Sequence, residues 1–117
     1  PSEKLSDTRS EESSESIRKR VSAAREHQTL RFEAHPNINY NAQMNTRQIR
    51  KYCKLDSTSS DLLKKAMERL SLSARAYDRI LKVARTIADL EAATAVQSFH
   101  IAEAIQYRSL DREGWMG

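Results

Sequence analysis

Glycine and proline are scarce, two of each in 117 residues, which leaves little material for tight hairpin turns. Cysteine occurs once, at Cys53, so no intramolecular disulfide can form and a reducing, cytoplasmic setting is expected. With no base beside it in the sequence, that thiol reads as structural rather than nucleophilic. No run approaches the roughly 20 apolar residues of a membrane span, and no targeting segment is visible. The Gly-x-x-x-x-Gly-Lys-Ser/Thr loop that cradles a triphosphate is missing. His27, His35 and His100 are scattered and read as surface or boundary residues, without the ligand spacing of a zinc site. The chain thus offers neither a catalytic residue nor a metal site of its own. It begins at Pro1 rather than methionine, as a segment cut from a longer protein would.

What is present is helix-forming. Alanine, leucine and isoleucine lead the apolar set, charged residues make up 31%, and the formal charge is +4. That excess sits between Ile17 and Phe32, where Arg18, Lys19, Arg20, Arg25 and Arg31 face a single acid, Glu26; elsewhere the charges cancel. A basic helix of this kind meets nucleic acid, an acidic protein surface or water.

Residues 1–14 hold one large apolar side chain, Leu5, too little to offset ordering entropy, and are expected to be a linker or tail. Helical spacing then predicts a basic helix from Glu15 to near Ala34, a turn at His35-Pro36-Asn37, and a second helix from Ala42 to Cys53. A third, Leu62 to Leu70, follows the capping cluster Asp56-Ser57-Thr58-Ser59-Ser60. The fourth, Ala74 to Ala92, has the widest apolar face: Ala76, Ile80, Val83, Ala84, Ile87 and Leu90, flanked by Tyr77, Leu81 and Ala88. Arg75, Asp78, Arg79, Lys82, Arg85, Thr86 and Asp89 take the polar remainder, so this helix should be gripped by several neighbours. A fifth follows Ser98 with Ile101, Ala102, Ile105 and Tyr107 directed inward, and residues 114–117 should be a flexible end. The expectation is an all-α bundle of about five helices spanning 15–113.

One local feature runs against helix electrostatics. Ser71-Leu72-Ser73-Ala74-Arg75 reads as a serine-capped helix start with an arginine in its first turn, where a cation is disfavoured. Arg75 and Arg79 are four apart, with Lys82 on the same face. With the N–H groups of a helix start, such arginines suit a phosphate; the same face also suits plain solvent, with Asp78 and Lys82 paired along it.

The segments SESIRKRVSAAREHQTLRF, NAQM, LSLSARAYDRILKVARTIADLE and HIAEAIQYRSLD resemble the C-terminal domain of magnesium-chelatase-like AAA+ ATPases, the ComM (YifB) subfamily in particular, from about Ser16 to Arg112. That resemblance implies a helical lid following a nucleotide-binding core. It places the sensor 2 arginine, which reaches the γ-phosphate, at Arg75, and leaves Arg79, Lys82 and Arg85 to supporting or intersubunit contacts. ATP and Mg2+ would be held mainly by the core, outside this chain, with no cofactor expected on the lid alone. Implied partners are that core, a homo-oligomeric ring, hexameric in the family, and DNA remodelled by helicase-like branch migration in natural transformation. Arg18, Lys19, Arg20, Arg25 and Arg31 are the candidate DNA or core contacts. The alternative is a DNA-binding or protein-interaction module with no nucleotide role.

Overall fold

A computed structural model describes residues 12–110 and shows five α-helices with no strand among them. α1 spans Ser14–Arg31; Ser13 caps it by accepting from the Ser16 N–H at 3.0 Å, with Glu15 in the first turn and Arg31 in the last, both suited to the helix dipole. It stops short of the expected Ala34. Phe32, the C-cap, turns into the core, where its ring meets His35 and Tyr52 edge-on, and Pro36 holds the chain out of helix beyond.

The second expected helix is two pieces, a 3-10 turn at Asn41–Gln43 and α2 at Thr46–Tyr52. Asn45 causes the break. In extended conformation it accepts from the Gln48 N–H at 3.0 Å while Gln48 accepts from its N–H at 2.9 Å, a reciprocal cap that starts a new helix.

α3, Ser57–Leu70, begins five residues before the expected Leu62, because Asp56, the first of the capping cluster, takes the cap by accepting from Ser59 N–H at 2.7 Å. Ser59 thereby falls inside the helix, fully buried, 3.1 Å from the Ser98 hydroxyl of α5. Ser71 closes α3 in the left-handed region, φ 51°, and Leu72 N–H returns to the Met67 carbonyl.

α4, Ala74–Leu90, is capped by Ser73, which accepts from Ala76 N–H at 3.2 Å. It packs against α1, the 3-10 turn, α2 and α5, the central position its wide apolar face predicts. The chain leaves it through Ala92, also left-handed at φ 58°, into α5, Ser98–Leu110. α5 buries Ile101 and Ala104, with Ile105 half-buried; Ala102 and Tyr107, expected inside, are exposed, lying off the stripe that Ile101 starts. The core gathers Phe32, Met44, Ile49, Leu63, Ile80, Leu81, Ala88, Val96 and Ile101. Of the expected tail, 12–14 are described and lead into α1; its remainder and the expected end, 114–117, lie outside the described residues. No helix among the described residues is long and apolar enough to cross a membrane.

Candidate functional site

The cations of α4 have four different fates. Arg85, placed on the solvated face by its spacing, is buried at 4% exposure. It pairs with Asp89, one turn on, at 3.1 Å, and donates to the Ala93 and Thr94 carbonyls at 2.9 and 3.3 Å, fixing the chain that leaves α4. Its Nε has no hydrogen-bond partner among the described residues. Lys82 reaches the Ala42 carbonyl at 3.0 Å, binding α4 to the 3-10 turn, instead of pairing with Asp78. Asp78 accepts from the Thr46 hydroxyl at 3.3 Å. Arg79 is exposed on the wall of an apolar groove of about 490 Å3 that Val83, Ile87, Leu90 and Tyr107 also line.

Arg75 is exposed and makes no hydrogen bond or ion pair among the described residues. It stands in the first turn after the Ser73 cap, where the side chain of Ser73 satisfies the Ala76 N–H. Beside that turn lies a cavity of about 790 Å3 between α2, α3 and α4, lined by Thr46, Arg50, Cys53, Ala74, Tyr77 and Asp78 among others. Burial pushes the Cys53 thiol up to about 11, so it stays protonated at neutral pH and offers no nucleophile.

Below this surface lies a polar centre that sequence spacing hid. Asp89, 2% exposed, accepts from Arg31 through both oxygens, at 2.7 and 2.8 Å, and from Asn41 at 2.8 Å. Asn41 in turn accepts from Arg31 at 2.9 Å, donates to Thr86 at 3.1 Å, and its own N–H meets the Gln28 side chain at 2.9 Å. Arg31 thus joins α1 to α4 as part of the interior. The buried arc of α4 is correspondingly rotated toward Arg85 and Asp89 and away from Val83, which is 36% exposed.

Burial alone would raise the Asp89 carboxyl. The bonds from Arg31 and Asn41, with the Arg31 and Arg85 charges, outweigh it and hold the group below the usual carboxylate range. A carboxyl depressed on folding stabilises the fold above its unfolded pKa, and that stability is lost as pH falls through the folded value. Acid titration followed by circular dichroism should therefore show unfolding below about pH 4, and Asp89→Asn should be weaker at neutral pH with a flatter acid limb.

On α1, Arg18, Lys19 and Arg25 are exposed, while Arg20 pairs with Glu12. His100, read as a surface or boundary residue, is fully buried: its Nδ1 accepts from Gln97 N–H at 2.9 Å, so Nε2 carries the proton and donates to Glu91 at 3.1 Å. His35 bridges Tyr52 and Gln48, at 3.1 and 3.3 Å, and His27 is exposed. Among the described residues no group of three or more His, Cys, Asp or Glu could hold a metal ion.

Residues 11–108 match the family described as magnesium chelatase, subunit ChlI C-terminal. The chain belongs to that family. Its relatives include the uncharacterized protein YifB of Salmonella typhimurium, 44% identical over 101 residues, and that of Escherichia coli, 42% identical over the same length. The competence protein ComM of Haemophilus influenzae is also 42% identical over 101 residues. Each alignment covers 86% of this chain and 19% of the relative, so this chelatase-type C-terminal domain spans about a fifth of the length of the proteins it matches.

Proposed function

We propose that this domain is the helical lid of an AAA+ ATPase of the magnesium-chelatase type, with Arg75 as the arginine that reads the terminal phosphate of ATP. ATP and Mg2+ would be held mainly by the part of the protein outside this chain, which also supplies the hydrolytic machinery. The observation that carries the reading is the state of Arg75. Arg31 and Arg85 are tied into the interior, Lys82 is bound to a carbonyl, and of the two exposed arginines of the central helix without a hydrogen bond or ion pair among the described residues, Arg75 and Arg79, only Arg75 stands in the capped first turn. A free planar donor set at a helix N-terminus fits a phosphoryl oxygen pair, which offsets the local cost of a cation in the first turn.

On this reading Arg75 stabilises charge on the transferred group and holds the lid closed while that charge is present. Once the contact is lost, the lid is released as a unit, because the Arg31–Asp89–Arg85 centre ties α1, α4 and the following loop together. In a homo-oligomeric ring, a hexamer on family resemblance, that movement would act on a substrate. One relative is named a competence protein, which favours DNA remodelling over the metal insertion of chelatases. Arg79 and Lys82, which line the groove, would make supporting or intersubunit contacts on this reading. The test is Arg75→Ala in the full-length parent ATPase: turnover should fall sharply with the lid still folded, and unaltered turnover rejects the sensor assignment.

A further inference from the structure

The basic helix conspicuous in sequence is not the strongest basic surface of the fold. On α1, Arg31 is turned inward to Asp89 and Arg20 is paired with Glu12, while Glu15 and Glu26 stand exposed among the remaining cations, with Glu33 just past the helix end. Residues 34–55 are different. They contain no Asp or Glu, and their four cations, Arg47, Arg50, Lys51 and Lys54, are all exposed and make no ion pair among the described residues.

Helix geometry gathers these charges. α2 buries Ile49, and Cys53 follows it into the core; at about 100° per residue Arg47 and Lys51 occupy the opposite side, Arg50 the flank at the rim of the cavity between α2, α3 and α4, and Lys54 lies just past the helix end. The face is held in place by bonds that leave it free: the Asn45 and Gln48 cap fixes its start, and Thr46 is bonded to Asp78 of α4. Lys51 lies 5.3 Å from the Tyr52 ring centroid. Asn45, the exposed cap residue, stands at the start of α2.

We infer that this outer face of α2 binds the sugar-phosphate backbone of nucleic acid, without reading base sequence. Donors without carboxylates are what a phosphate row requires, and nucleic-acid interfaces are more polar and more positively charged than protein ones. A protein partner would need apolar anchors at the centre of the contact. The outer positions Arg47, Arg50, Lys51 and Lys54 supply none, whereas exposed Val83 and Tyr107 line the groove on another side of α4. The inference rests on the DNA part of the proposed function and is independent of the role of Arg75.

The experiment is fluorescence anisotropy of the 117-residue chain with labelled single- and double-stranded DNA of about 30 nucleotides or base pairs, from about 25 to about 150 mM NaCl. Replacing Arg47, Arg50, Lys51 and Lys54 together by alanine should weaken duplex binding at least about tenfold at low salt. It should also reduce the slope of log affinity against log salt by about 3 to 4. The milder pair Lys51→Gln and Lys54→Gln, which tests the face should the quadruple variant misfold, should reduce the slope by about 2. Arg18→Ala, Lys19→Ala and Arg25→Ala together should leave both quantities nearly unchanged. A loss confined to that α1 variant overturns the α2 assignment and leaves DNA binding standing. No binding by the unaltered chain at low salt overturns both. Poly-glutamate displacing the labelled DNA as well as unlabelled DNA does at equal charge would show a general anion surface and overturn the commitment to nucleic acid.

Discussion

Asp89→Ala is expected to lower the melting temperature by about 15 °C or more, enough to leave much of the chain unfolded at physiological temperature. Asp89 is the acceptor on which Arg31, Arg85 and Asn41 converge. Removing it leaves two guanidinium groups without this counter-charge, one of them on a residue only 4% exposed whose Nε has no partner among the described residues. Deleting one member of a buried charge pair costs about 3 to 5 kcal/mol, a large share of the roughly 5 to 15 kcal/mol that holds a domain together. Arg31→Ala should cost less, since its side chain sits nearer solvent and its loss still leaves Arg85 on the carboxylate. Thermal melts by circular dichroism decide the matter: a shift within about 2 °C for Asp89→Ala would mean that the centre is not an energetic keystone.

Arg75→Ala should act in the opposite way, leaving the fold alone and removing activity. With no hydrogen bond or ion pair among the described residues, Arg75 adds no polar contact to them, and relieving a cation in the first turn of α4 should hold the melting temperature or raise it slightly. In the parent ATPase the same change is expected to lower turnover on the order of 100-fold, the loss typical of one preorganised donor at developing charge. Arg75→Lys should recover only part of it, because an ammonium keeps the charge without the planar fork. Arg79→Ala, one turn on and facing the groove, should have a smaller effect. Loss of turnover accompanied by a lower melting temperature would point to a structural role for Arg75.

Sequence reading reached the architecture where the signal was a long period. The start and central position of α4, the capping serine at Ser73 and the turn at Pro36 all lie where pattern and capping chemistry put them. It failed where one side chain overrides the period. Asn45 splits an apparently continuous helix, and Asp56 captures the start of α3 before serines that could equally have capped it. The polar centre was invisible for a related reason. On a helical wheel Arg85 and Asp89 look solvated, and only the return of α1 and the 3-10 turn across that edge, carrying Arg31 and Asn41, encloses them. The i, i+4 spacing of Arg85 and Asp89 was legible, but it marks exposed pairs as readily as buried ones. The basic face of α2 was hidden by numbers: four cations in a stretch without acids do not alter a net charge whose excess lies elsewhere in the chain. Arg75 was singled out by its unfavourable position, and it is exposed with no ion pair among the described residues.

The most direct measurement of the central claim is the affinity of the parent ATPase, with and without Arg75→Ala, for ADP and for a non-hydrolysable ATP analogue. An arginine that reads the terminal phosphate distinguishes the two ligands, since only one carries the group it contacts. The substitution should weaken the triphosphate analogue by about tenfold or more, the worth of a charge-assisted bidentate contact, and leave ADP affinity unchanged. Equal weakening of both ligands, or of neither, would contradict the assignment of Arg75 to the γ-phosphate.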